Sequence, residues 1–545
     1  EICACLVGSE MCIRDRILSA RQAVDYIEDN DVVAVSGAGG GIVDPYALIN
    51  ALHDRYVETQ SPKNLTLWHS TGLGDRGEKG MSPLALDGLV KRVIGGHWGQ
   101  SPKLAQMASD NKIEAYNFPQ GIMAQLARTA AAGQPGILSK VGLGTFIDPR
   151  IEGGKLNEVT KEELIQVMNV GVQEYLYYPV VPMNVCLIRA TTADTEGYAS
   201  MEGEITYIDV LQLAQAVHNN GGTVILQVKR VVKAGTLHPK SVKIPGFLVD
   251  AIVVESNQEQ LYNGSDRFFS GDYIADDSDV NILPLDQRKV VARRALMEVK
   301  PGYVGNVGVG IADGIGNVAR EEGVSDLFTL TVETGPVGGT TAQGIFFGAT
   351  VNARAIMDMP AQFDFYDGGG LDVAFLSFAE LDENGDVNVH KFNGKIMGTG
   401  GFVNIVAGSK KVVLCGTLRA GKLLTTIANG KITIDQEGKF EKMIKKVESV
   451  TFSAKQAALQ GQEVIYITER AVFKLLDGKV VLTEIAPGMD LQKDIIDQMG
   501  FVPVVSKDLK EMDACIFKEE KMNIYDEFIG CLLYTSPSPR DMRRS

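Results

Sequence analysis

Residues Asp31–Arg55 read DVVAVSGAGGGIVDPYALINALHDR. Asp31–Ser36 is a short apolar run rich in β-branched residues, the composition of a strand buried on both faces. Gly37-Ala38-Gly39-Gly40-Gly41 ends it, and Asp44-Pro45 opens a helical stretch, Tyr46–Arg55. Strand, glycine turn and helix form the unit from which layered sheets of mostly parallel strands are built.

The unit recurs. Val307–Glu321 (VGVGIADGIGNVARE) again sets a glycine-rich turn before a helix. Leu187–Ser200 (LIRATTADTEGYAS) parallels Phe375–Asn388 (FLSFAELDENGDVN), each a strand, an acidic-Gly turn and a second strand. Gly222–Val232, after the helix Val210–His218, has its counterpart in the strand Lys411–Leu418. Three landmarks in one order predict a duplication, although α/β chains share enough strand–turn–helix grammar to produce a similar echo. The expected fold class is α/β, with two related open domains at 17–270 and 287–530. The join falls within Asn257–Asp286, a polar, turn-rich stretch whose part 271–286 reads as a linker. Gln287–Val299 then opens the second half as Ala20–Glu28 opens the first.

The bulk properties agree. A chain of 545 residues that is 45% hydrophobic exceeds what one core fills. No apolar run reaches the ~18–20 residues of a membrane-spanning helix. The net charge of −15 and the scattered Lys and Arg exclude the basic face of a nucleic-acid binder.

The ends read differently. Cys5–Arg16 (CLVGSEMCIRDR) and Cys531–Asp541 (CLLYTSPSPRD) resemble translations of one sequencing adapter from its two strands. Residues 1–16 and 531–545 are therefore taken as non-native scars. That removes four of seven cysteines and the apparent N-terminal metal cluster. Cys186, Cys415 and Cys515 remain without CxxC spacing, which suits a reducing cytoplasm and predicts neither disulfide nor metal.

Leu327–Gly348 (LFTLTVETGPVGGTTAQGIFFG) brings a strand-like run to Glu333 and then to Thr334-Gly335-Pro336-Val337-Gly338-Gly339. A charged residue on a sharp turn at a strand's C-terminal end is where open α/β sheets place sites. Taken locally, a solvated Glu before an ordinary Gly-Pro turn reads slightly better. There is no HxxxH, no GxSxG and no Cys/His pair at metal spacing, and the six His are dispersed.

Thr331–Gly339 resembles the Glu-x-Gly motif of the family I coenzyme A transferases. With Ser36–Pro45, Leu187–Ser200, Ile225–Val231, Val307–Ile311 and Met397–Asn404 in the same order, residues 17 to about 526 resemble the single-chain acetate or propionate CoA-transferases, in which an alpha-like and a beta-like half are fused. The resemblance implies reversible CoA transfer from an acyl-CoA to a short-chain carboxylate. Glu333 would be the nucleophile, and a glutamyl-CoA thioester the intermediate. A carboxylate with an ordinary pKa near ~4.3 is ionised at neutral pH and needs no general base.

The resemblance also implies an oxyanion-hole amide at Gly400 or Gly401, with Ser70 aligned where the family can place an Asn side chain. It implies CoA contacts at Gly308, Val309, Gly310, Gly338 and Gly339. Gly39 and Gly40 would form a phosphate cradle or lie on the acid side, and Gln120 would lie on the acid side, although tight turns account equally well for all three. Arg189 and Lys229 suit structural ion pairs as well as phosphate. Asp364, Asp367 and Glu380 stand near the second-half site by resemblance. CoA would be a substrate, with no permanently bound cofactor and no metal. Partners would be acyl-CoA, a carboxylate and further copies of this chain as a dimer or tetramer, with neither nucleic acid nor membrane. Two alternatives remain open: an acyl-CoA hydrolase on the same fold, and a non-catalytic ligand sensor, which predicts a DNA-binding helix pair not visible here. No motif encodes the acid, because one methylene discriminates by only ~1–3 kcal/mol.

Overall fold

The computed structural model describes residues 16–276 and 282–535. The adapter-like ends lie outside the described residues except for Arg16 and 531–535, which continue the last helix, Tyr525–Thr535. Part of the 271–286 stretch also lies outside them.

Two large sheets organise the chain. In the first, eight strands run parallel in the order 17–18, 251–254, 223–232, 185–194, 32–35, 65–69, 90–95 and 114–117. Their interiors are near-continuous apolar runs, such as Val185–Asp194, which is buried throughout. Helices Tyr46–Thr59, Pro102–Ser109, Gln120–Ala131 and Val210–Asn219 connect them.

In the second sheet the parallel core runs 329–331, 304–307, 371–377, 409–415 and 463–467. This order reproduces 65–69, 32–35, 185–194, 223–232 and 251–254 of the first sheet. The predicted landmarks thus occupy equivalent strands. Antiparallel strands extend the second sheet at both sides.

Each sheet reverses its winding beside the strand that precedes a glycine turn, Val32–Val35 or Val304–Val307. A crevice opens at such a reversal, beyond the C-terminal strand ends. The stretch after Val254 packs closely where it meets the first crevice. Gln258, Gln260 and Leu261 are buried, and the Tyr262 N–H donates to the Gly40 carbonyl at 2.8 Å.

Candidate active site

The crevices of the two halves meet in a cavity of about 440 Å³. The first half supplies the turns after four adjacent strands: Ala38-Gly39, Thr71-Gly72, His97 and Gln120. The second half supplies Gly308–Gly310, Glu333-Thr334 and Leu376–Ala379 after three strands, and Met397–Phe402 at the start of the helix Phe402–Gly408.

Hydrogen bonds sew the halves together around it. The Gly121 N–H donates to Asn404 Oδ1 at 3.0 Å, and the Thr399 N–H to Asn117 Oδ1 at 2.9 Å. Thr206 Oγ1 donates to the Thr334 carbonyl at 2.5 Å, which fixes the residue after Glu333 from the other half.

Glu333 sits two residues past the strand Thr329–Thr331, on a turn closed by the Gly335 N–H to the Val332 carbonyl. Gly335 has φ +127°, and a Cβ there would lie 2.2 Å from the Met357 carbonyl oxygen, so only glycine fits. Glu333 is partly open to the cavity, yet its Oε2 is buried without a hydrogen-bond partner. Burial pushes its pKa from the ordinary 4.5 up to about 7. The ordinary carboxylate pKa expected from sequence is therefore wrong for this pocket. A carboxylate short of solvent and donors is a reactive one, but near pH 7 half of it carries a proton.

The structure divides the other expected residues. Gly39, Gln120, Gly308, Val309, Gly310, Gly400 and Gly401 line the same cavity as Glu333. Between the two oxyanion candidates, Gly400 gives its N–H to the Gly96 carbonyl at 2.8 Å, which removes it from that role. Gly401 caps the helix Phe402–Gly408, and a Cβ on it would stand 3.4 Å from Glu333 Cγ. In the expected CoA loop, Gly308 donates to the Phe375 carbonyl and Gly310 to Asp313, while Val309 is 39% exposed.

Four candidates fall outside the cavity lining. Ser70 is buried, and its hydroxyl donates to Asp209 at 2.6 Å, so it is not turned to Glu333 as an oxyanion donor. Gly40 instead packs on the second half, where a Cβ would meet the Ile345 carbonyl oxygen at 2.5 Å. Gly338 and Gly339 line a different cavity, with Arg320 and Arg354.

The remaining charged candidates have structural partners. Arg189 pairs with Glu204, both 2% exposed, and Lys229 donates to the Gln258 carbonyl. Asp364 pairs with Arg128, Asp367 accepts from Asn404 and Gln125, and Glu380 accepts from Asn388.

Sequence reasoning missed the acids beneath the site. Asp209 accepts from both Ser36 and Ser70 and is fully buried. Asp44, also buried, accepts from the Tyr262 hydroxyl, and burial raises its pKa to about 6. Each follows a β-branched residue in the left-handed region, Val43 (φ 52°) and Ile208 (φ 48°), a costly conformation that persists only where surrounding contacts impose it. It also missed His97 and Arg76 in the cavity wall. A lone Arg in a Gly-Asp-Arg-Gly turn carries no signal that separates it from a solvated charge. Burial lowers the His97 pKa to about 4, so that ring is neutral. No cluster of metal-ligating side chains and no helix long and apolar enough to cross a membrane occurs among the described residues.

Comparison with known proteins matches residues 17–255 to the Coenzyme A transferase family. The chain is 60% identical to the acetate CoA-transferase YdiF of Escherichia coli O157:H7, over 93% of this chain and 96% of that protein. It is 43% identical to the caffeate CoA-transferase of Acetobacterium woodii, over 93% and 98%. The crystal structure of the E. coli O157:H7 acyl-CoA transferase YdiF as a thioester complex with CoA superposes with a TM-score of 0.89, at 58% identity over 93% of this chain and 97% of that one. With two related parallel sheets on one polypeptide and near full-length relatives, this chain belongs to the coenzyme A transferase family and is a CoA-transferase of the single-chain type.

Proposed function

We propose that this chain moves CoA reversibly between short-chain carboxylic acids, such as acetate, propionate, butyrate or lactate, by a ping-pong route through a thioester on Glu333. The observation that carries this reading is the Glu333 carboxylate, with one oxygen buried and unpartnered, in a cavity built by both halves. A Glu333 oxygen attacks the acyl-CoA carbonyl carbon, and the C–S bond breaks to release CoA thiolate and leave a mixed anhydride. The thiolate then attacks the glutamyl carbonyl, and the first acid departs as carboxylate. The second carboxylate takes CoA by the same steps reversed. The overall reaction exchanges one acyl-CoA thioester for another of similar energy, so no external energy source is needed.

Each addition places negative charge on a carbonyl oxygen. One lost donor to such an oxygen costs ~10²–10³ in rate. The Gly401 amide, at a helix start beside Glu333, is the donor this geometry favours. CoA would reach the site along Gly308–Gly310 and Ser377–Ala379, and the acid would sit against Gly39, Gln120 and His97. The acetate and caffeate transferases among the relatives act on acids of very different size, so similarity supports the reaction class and leaves the acid to experiment.

Mass spectrometry after incubation with acetyl-CoA should find CoA on the Glu333 peptide, converted to an alcohol by borohydride. Glu333→Ala should carry no adduct and lose transfer, and full transfer by that variant would refute the reading. Free CoA released as fast without an added acid as with one would favour the hydrolase instead.

A further inference from the structure

The cavity is almost without charge. Among its lining side chains only Glu333 and Arg76 carry one, because His97 is neutral. Arg76 lies in the first-half wall, in the loop that also carries Thr71 and Gly72. Its backbone is left-handed, with φ +64°, and its N–H is pinned to the Gln100 carbonyl at 2.9 Å. Glycine or asparagine would occupy such a position at lower cost.

The adjacent Asp75 does not neutralise it. Asp75 Oδ1 accepts the N–H groups of Gly77 and Lys79 at 2.9 and 3.0 Å. Among the described residues no carboxylate forms an ion pair with Arg76. Its positive field reaches inward, since it contributes to holding His97 deprotonated.

This arrangement has a consequence if Glu333 is the nucleophile, on which the inference rests. In the free enzyme the cavity lining holds one carboxylate, Glu333, and one guanidinium, that of the solvent-exposed Arg76. Once Glu333 is a thioester its charge is gone, and Arg76 is left as the cavity's one charged side chain. The substrate required at that moment is an anion. A chain of net charge −15 otherwise repels it.

We propose that Arg76 is the docking cation for the carboxylate substrate, giving the thioester form of the enzyme its affinity for the acid.

The test uses the full-length enzyme and its two half-reactions. Glutamyl-CoA enzyme is prepared with acetyl-CoA and desalted, and its discharge by acetate or propionate is followed against acid concentration. In Arg76→Gln the acid concentration giving half-maximal discharge should rise at least tenfold, while the acetyl-CoA concentration needed for adduct formation changes less than threefold. Arg76→Lys, which keeps the charge, should recover most of the loss. In the native enzyme, raising salt from 0.05 to 0.5 M (about 14 to 4 Å of screening length) should weaken acid binding, and Arg76→Gln should lose that sensitivity. An unchanged acid dependence, or a rise in the acetyl-CoA requirement alone, overturns the proposal. Absence of any adduct in the native enzyme would instead refute the role of Glu333.

Discussion

The strands Leu65–His69 and Thr329–Thr331 hold the same place in the two sheets, each beside the strand that runs into a glycine turn. They end differently. Ser70 follows the first, and its hydroxyl is spent on the buried Asp209, which also holds Ser36. Glu333 follows the second, and one of its oxygens has no partner. After equivalent strands one half satisfies its polar group and the other withholds satisfaction. The first half stabilises the wall, and the second keeps a desolvated carboxylate available for chemistry.

The most severe test of this contrast is Glu333→Gln. Transfer should fall by on the order of 10⁴-fold or more, as for other removed nucleophiles. Stability should move the opposite way. The folded state raises the Glu333 pKa from 4.5 to about 7, so the native protein binds the extra proton between those values and loses stability as pH rises through that window. Above pH 7 the ionised group costs on the order of 3 kcal/mol. Thermal melts should therefore find Glu333→Gln more stable than the native enzyme at pH 8, with the gap closing towards pH 5. A constant gap would break the comparison.

Asp209→Ala should show the reverse. Two buried hydroxyls lose their acceptor at about 1–3 kcal/mol each, so the melting temperature should drop and activity should fall with it. Asp209→Asn, which keeps an acceptor oxygen, should lose less. The smallest effect is expected from Ser70→Ala. It should cost about 1 kcal/mol and leave turnover within a few-fold, measured beside the parent. A loss of 10²-fold or more would return Ser70 to the oxyanion hole.

The fold was legible because its signals are local. Apolar runs, glycine turns and helix starts such as Asp44-Pro45 lie within a few residues of each other, and their order survives in both halves. Glu333 and the glycines around 308 and 400 could be singled out on motifs of the same short range. The allocation of hydrogen bonds could not. Ser70 and Asp209 are 139 residues apart, and the Gly400 amide is taken by a carbonyl from the other half. The burial of Glu333 likewise depends on packing across the seam, which a pKa for an isolated carboxylate ignores. Arg76 is the clearest case, because only the assembled cavity distinguishes it from the other charges of its loop.

The seam itself has a practical meaning. Amides near Gly400 and Gly121 are held by acceptors on the opposite half, and the residue after Glu333 is tied to Thr206. One buried apolar cluster runs across the seam, joining Ile122 of the first half to Met359, Phe363 and Phe402 of the second, so the halves cannot part without exposing core. Heat inactivation of this enzyme would then report the loss of seam and core together, with catalysis and the circular dichroism of strands and helices vanishing over one temperature range.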